Sequence, residues 1–120
     1  MLSVRAAEHV SSPRNIGLVP GYTHVGVGGA PGDGPYSRLW LRVEDGTIRR
    51  AGYECNGCPS SIASSSMVAQ IVSGRSLDQA LTLTSEDVLL LLDGLPEGKG
   101  YYAELAVQAL RNALSSEVKT

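Results

Sequence analysis

Residues 37–72 read SRLWLRVEDGTIRRAGYECNGCPSSIASSSMVAQIV, and the hydrophobic period changes once within them. From Ser37 to Glu44 apolar and polar residues alternate, with Leu39, Leu41 and Val43 on one face and Arg38, Trp40, Arg42 and Glu44 on the other. Period-two alternation predicts a half-buried strand. Asp45-Gly46 supplies the positive backbone angles of a tight hairpin turn, so Thr47 to Glu54 is expected to return antiparallel. After Cys58 the period becomes helical: Pro59 suits a first helical position, and Ile62, Ala63, Met67, Val68, Ile71 and Val72 form a stripe that ends near Gly74.

Toward the N-terminus, Tyr22 to Val27 reads as a further short strand. Gly26, Gly28, Gly29, Pro31, Gly32, Gly34 and Pro35 then crowd ten positions and predict an exposed loop. Residues 1–22 read as a docking arm, with helical turns over Leu2 to Val10 stopped by Ser11-Ser12-Pro13. On the C-terminal side, Ser76-Leu77-Asp78-Gln79 matches a capping box, and Thr84 caps a helix running through Val88 to Leu92 and ending at Gly94 and Pro96. A last helix starts near Gly100 and buries Tyr102, Leu105, Ala106, Ala109, Leu110, Ala113 and Leu114. Strands followed by helices predict an α+β domain, a small antiparallel sheet with helices packed on one face and a long C-terminal helix.

The 120 residues suffice for one domain, 1–120, which buries about two-thirds of its unfolded surface. A 42% hydrophobic content with 18% charged residues excludes a disordered chain. A net charge of −2 argues against nucleic acid as a partner, because phosphate binding needs an excess of clustered Lys and Arg. Val88 to Leu92 is the longest aliphatic run, far short of the roughly 20 residues of a membrane span, so no membrane partner is expected. The first residues lack the apolar block of a secretory signal, which predicts a cytoplasmic protein with both cysteines reduced.

Cys55-Asn56-Gly57-Cys58 places two thiols at a strand-to-helix joint, near enough for a shared metal or a disulfide. Cys58 falls at a helix N-terminus, where unpaired N–H groups favour a thiolate. Asp33 is the one carboxylate of the glycine-rich loop, where a turn role competes with a ligand role. His9 and His24 are isolated and read as surface or satisfied core residues. The serine run Ser60 to Ser66 reads as small residues packed close to a sheet, since no histidine stands at triad-like spacing.

Taken in order, His9, Ser12-Pro13-Arg14-Asn15-Ile16-Gly17, Gly29-Ala30-Pro31, Arg38-Leu39, Gly57-Cys58-Pro59-Ser60-Ser61-Ile62-Ala63-Ser64-Ser65-Ser66 and Ser76-Leu77-Asp78-Gln79-Ala80-Leu81 resemble the IscU/NifU N-terminal family, scaffolds for iron-sulfur cluster assembly. The resemblance spans nearly the whole chain and implies a three-stranded sheet with helices. It also implies a site of three cysteines and an aspartate. Here Asp33 stands where the first cysteine belongs, Pro35 where the aspartate belongs, and Tyr101 and Tyr102 where a histidine and the third cysteine belong. Cys58 is the retained cysteine, and Cys55 is an additional thiol. The Hsp70-type chaperone segment of the family, Leu-Pro-Pro-Val-Lys, reads Leu95-Pro96-Glu97-Gly98-Lys99, which makes that partner doubtful.

The expectation is a non-enzymatic scaffold-like protein. It takes iron, zinc or a labile iron-sulfur cluster on Cys58 with Cys55 and Asp33, or accepts sulfur at Cys58 from a cysteine desulfurase and its assembly partners. Two alternatives stay open: a regulatory binding module that has lost cluster binding, and a small thiol redox protein using Cys55 and Cys58.

Overall fold

The computed structural model describes residues 2–12 and 15–116. Its elements are α1 (Val4–Ser11), β1 (His24–Gly29), β2 (Tyr36–Glu44), β3 (Thr47–Asn56), α2 (Pro59–Val72), α3 (Leu77–Leu81), α4 (Ser85–Leu91) and α5 (Tyr101–Leu114). The three strands form one antiparallel sheet in the order β1-β2-β3, which bears out the α+β reading. The hairpin turn falls on Asp45 and Gly46, both with positive φ (53° and 75°), as its sequence demands.

Sheet register decides which side chains meet the helices. Leu41 pairs with His24 and Ala51, Leu39 with Gly26 and Tyr53, and Ser37 with Gly28 and Cys55. Paired residues share a face, so this set faces α2 and α5, and Leu39, Leu41, Ala51 and Tyr53 join Val68, Val72, Ala106 and Leu110 in the core. Burial of each large aliphatic side chain there is worth about 1.5–3 kcal/mol.

The glycine-rich segment corrects the expectation of a loop from Gly26 onward: the strand expected over Tyr22 to Val27 runs from His24 to Gly29 instead. The reason is tertiary. A Cβ on Gly26 would stand 2.3 Å from the Ala109 carbonyl oxygen, and one on Gly28 would stand 2.0 Å from that of Leu105. Glycine lets α5 lie directly on the β1 backbone. Asn112 Nδ2 donates to the Val27 carbonyl at 2.7 Å, and Gly29 N–H donates to Gln108 Oε1 at 3.0 Å, fastening the same seam. The remaining loop spans residues 30–35.

The opposite sheet face is not simply polar. Trp40, assigned to the outward face by alternation, is buried, as is Val19. Val19 of the arm packs on Gly52, the cross-strand partner of Trp40, and covers that face. The arm also closes the free edge of β3: Gly17 N–H donates to the Tyr53 carbonyl at 2.7 Å, and Tyr53 N–H donates to the Asn15 carbonyl at 3.1 Å. Covering an exposed edge removes a template for unwanted strand pairing. Pro13 and Arg14 of the arm motif lie outside the described residues.

Helix ends follow the capping chemistry. Ser76 and Gln79 make a complete capping box on α3, and Thr84 and Asp87 make one on α4. Helix α2 departs from its one-sided stripe. Ser60, Ser61, Ser64, Ser65 and Ser66 are buried together with Ala63, Met67 and Val68, whereas Ile62 and Ile71 are only half-buried. The sheet, α1, α4 and α5 all pack around this helix, so small residues are needed on nearly every side.

Candidate functional site: a thiol pair at one end of the sheet

β1 ends at Gly29, β2 begins at Tyr36 and β3 ends at Asn56, so loop 30–35 and the Cys55–Cys58 joint share one end of the sheet. The α5 seam runs in the same direction. Ala109 lies over Gly26 and Leu105 over Gly28, which leaves the first turn of α5, with Tyr101 and Tyr102, at that end as well.

Gly57 joins the two cysteines. Its φ of +152° lies outside the range comfortable for a side chain, and a Cβ there would meet Tyr102 Cε1 and Ser61 Cβ, each at 3.0 Å. The Tyr102 ring therefore packs against the joint itself. Its neighbour Tyr101 stacks on it with ring centroids 4.2 Å apart, and Lys99 Nζ stands 5.9 Å from the Tyr102 ring centroid.

Cys58 is the N-cap residue of α2, with extended backbone (φ −92°, ψ 179°) and Pro59 following as the first helical residue. Its thiol makes no strict capping hydrogen bond, and the Ser61 N–H donates to the Cys58 carbonyl at 2.8 Å. Partial burial alone would push the Cys58 pKa up. The Tyr102 hydroxyl, the Ser60 and Ser61 N–H groups and the Ser60 hydroxyl all favour the thiolate and outweigh it, so the pKa falls below the ordinary thiol value. Tyr102 titrates in the opposite sense, held protonated by hydrogen bonding with Tyr101 and with Cys58 and by burial. The two opposite shifts share one cause, the interaction between Tyr102 and Cys58. A thiolate of this kind, partly exposed at a helix N-terminus, is a nucleophile.

Cys55 is the contrasting thiol. It sits on β3 opposite Ser37, on the helix-facing side of the sheet, and packs against the core. Burial pushes its pKa up, the Ser61 and Ser65 hydroxyls oppose this, and the neighbouring Cys58 and Glu54 charges add to the rise. An apolar groove of about 410 Å³ lined by Ile16, Gly17, Tyr53, Glu54, Cys55 and Ile62 opens beside it.

The other sequence candidates separate from this pair. Asp33 is exposed in the tight turn of loop 30–35, where its N–H donates to the Ala30 carbonyl at 3.0 Å, and Pro35 is exposed beside it. His9 is buried with Nδ1 at 2.8 Å from Ser66 Oγ, and His24 is buried with Nδ1 at 2.8 Å from Thr23 Oγ1, so both are satisfied interior residues. The serines pack as read: Ser65 Oγ meets Ser37 Oγ at 2.8 Å, and Ser64 Oγ donates to the Ser60 carbonyl at 2.8 Å. Among the described residues no three His, Cys, Asp and Glu side chains gather into a metal-holding group. The sequence places Tyr102 on the buried stripe of the last helix and at a ligand position of the resemblance. Its contact with the Gly57 joint beside Cys58 depends on the α5 seam and has no local signal.

The donor set bears on iron-sulfur chemistry. Two free thiols and the Tyr101 and Tyr102 phenols at this end of the sheet do not by themselves supply the roughly four soft ligands of a closed cluster site. Among the described residues, the donors gathered at this end do not fit a closed four-ligand cluster site.

Residues 2–118 match the model of the NifU-like N-terminal domain. Among characterised relatives, the chain is 37% identical over 117 residues to the iron-sulfur cluster assembly scaffold protein IscU of Escherichia coli, covering 94% of this chain and 91% of that one. It is 33% identical over 114 residues to the scaffold protein IscU 1 of Archaeoglobus fulgidus, covering 95% of this chain and 74% of that one. In fold it is similar to a putative iron-sulfur cluster assembly scaffold protein for the SUF system from Fervidobacterium islandicum, with TM-score 0.74 at 16% identity over 93% of this chain and 95% of that one. It is also similar to the N-terminal NifU-like protein of Brucella abortus, with TM-score 0.71 at 20% identity over 94% and 91%. With the fold, the order of motifs and the family match in agreement, the chain belongs to the NifU-like N-terminal domain family.

Proposed function

We propose that this protein works in iron-sulfur cluster assembly as a non-enzymatic acceptor built on the scaffold fold, with Cys58 as its operating group. The observation that carries this reading is the place of Cys58, a partly exposed thiol at the N-cap of α2 beside the Tyr102 ring, where its pKa is drawn below the ordinary thiol value. The partner is a cysteine desulfurase that presents a persulfide, and the compartment is the cytoplasm. In the transfer, the Cys58 thiolate attacks the terminal sulfur of the partner's persulfide, the partner's S–S bond breaks, its cysteine leaves as thiolate, and Cys58 becomes a persulfide. No net oxidation or reduction accompanies this exchange. Iron, zinc or a labile cluster is cargo in this reading, held at Cys58 with donors completed outside the chain.

Tyr101, Tyr102, Asp33 and Pro35 at ligand positions favour a second reading, a binding module of the assembly machinery that no longer carries cargo. The Leu95–Lys99 segment leads straight into Tyr102, and its exposed Glu97 and Gly98 depart from the family's chaperone segment, so that partner is not proposed.

Anaerobic incubation with a cysteine desulfurase, cysteine and ferrous iron, followed by intact-mass and metal and sulfide analysis, separates the two. The acceptor reading predicts one added sulfur atom on Cys58, lost in Cys58→Ser, with iron and sulfide below the stoichiometry of a complete cluster. Neither sulfur nor metal on a folded wild-type chain would leave the binding module.

A further inference from the structure

The thiol that the family pattern does not account for is Cys55, and its surroundings are specific. Cys55 projects from the last turn of β3 on the helix-facing side, in register with Ser37, whose hydroxyl meets Ser65 at 2.8 Å. Ser65 and Ser61 lie one turn apart on the same face of α2, so the face that meets Ser37 beside Cys55 also carries Ser61. Ser61 also touches Cys58, donating its N–H to the Cys58 carbonyl at 2.8 Å. Its Oγ stands 3.3 Å from where a Cβ on Gly57 would be. The two cysteines thus stand with two residues between them, joined through Gly57, whose φ of +152° and close neighbours Ser61 and Tyr102 suit only glycine well. Both thiols are free, and both are partly accessible.

We propose that Cys55 is the resolving thiol for sulfur carried on Cys58, so that the protein discharges that sulfur as hydrosulfide while the two cysteines close to a disulfide. This inference rests on the acceptor reading of Cys58. In the step, the Cys55 sulfur attacks Cys58 Sγ, the Sγ–S bond of the persulfide breaks, and the terminal sulfur leaves with the bonding pair. The Cys55 proton goes to the departing sulfur, giving HS⁻, and the new bond joins Cys55 Sγ to Cys58 Sγ. The sulfane sulfur is reduced to sulfide, and the dithiol supplies the electrons by becoming a disulfide, so a single discharge needs no outside reductant. Attack at the terminal sulfur would only move the persulfide to Cys55, an exchange that runs back. Loss of HS⁻ is the branch that leaves the pair. A second turnover requires a dithiol reductant of the thioredoxin class to reopen the disulfide.

The site's own departures suit this chemistry. A scaffold that retains a cluster needs several thiolates converging on metal, whereas a discharging acceptor needs two thiols within reach of each other, and Cys55 and Cys58, both free and with two residues between them along the chain, meet that smaller requirement.

The test loads wild type and Cys55→Ser anaerobically with a desulfurase and cysteine, removes both, and follows intact mass and released sulfide without reductant. Wild type should lose the added sulfur, end two hydrogens lighter than the reduced chain, and release about one sulfide per loaded chain. Cys55→Ser should keep its persulfide at least about tenfold longer and form no intramolecular disulfide. A circular dichroism spectrum and a urea midpoint for Cys55→Ser matching those of wild type guard against reading a folding defect as chemistry. Equal persulfide lifetimes in wild type and Cys55→Ser would overturn the proposal while leaving the acceptor reading intact. Absence of persulfide on every variant would overturn the acceptor reading and this inference with it.

Discussion

Two glycine-built joints in this protein do opposite work. At the β1–α5 seam, Gly26 and Gly28 remove side chains so that helix backbone rests on strand backbone, and the atoms a Cβ would meet belong to Ala109, Asn112, Ala113 and Leu105 main chain. At the β3–α2 joint, Gly57 removes a side chain so that the Tyr102 ring and Ser61 can approach two cysteines. Backbone cannot yield without moving a whole helix, but a side chain can turn aside. The first joint fixes the fold, and the second tunes a thiol. The seam also serves the site, because it helps place the first turn of α5, and with it Tyr102, against the joint of two cysteines distant in sequence.

The comparison predicts a ranking of damage. Gly28→Ala should be the most costly change, about 3 kcal/mol of stability in a urea titration, since its Cβ would lie 2.0 Å from a carbonyl oxygen of α5. A loss below about 1 kcal/mol would mean that the helix is not seated on the strand. Gly57→Ala should cost about 2 kcal/mol, through the strained φ and the contacts with Tyr102 and Ser61, and the folded variant should alkylate more slowly at Cys58. A variant that unfolds as readily as Gly28→Ala would show that the joint is structural rather than tuned.

Smaller still is Tyr102→Phe, which keeps the ring and removes the hydroxyl. Stability should change by less than about 1 kcal/mol, while iodoacetamide labelling of Cys58 at neutral pH slows by about threefold to tenfold. Unchanged labelling would leave the helix N-terminus as the sole support of the thiolate. Asp33→Asn should do least, with Cys58 labelling and stability the same as wild type, because Asp33 is exposed in its turn and outside any ligand group among the described residues. A shift in Cys58 reactivity would place that carboxylate nearer the thiol than its turn implies.

Local chemistry was legible in the sequence wherever it was complete within a few residues. The hairpin at Asp45-Gly46, the capping boxes at Ser76 and Thr84, and the helix N-terminus at Cys58 each depend on neighbours along the chain, and each is found. What failed depends on distant partners. Gly26 to Gly29 read as loop because glycine density signals freedom, and only α5 lying on the strand turns that freedom into close packing. Trp40 read as outward because the alternation rule does not know that Val19 folds across the other face. The site divides in the same way: Cys58 is legible from the strand-to-helix joint, Cys55 only as an extra thiol, and the packing of Tyr102 against that joint not at all.

The central claim, that Cys58 is an activated thiolate rather than a buried structural thiol, is tested most directly by the pH dependence of its alkylation. In Cys55→Ser, with Cys58 the only thiol, the iodoacetamide rate should rise with pH as the thiolate forms and level off, because the thiolate is the reacting species. The account predicts a midpoint below that of the same chain unfolded in urea, in keeping with the lowered pKa that Tyr102 and the α2 N-terminus impose against burial. A midpoint at or above the unfolded value would contradict it.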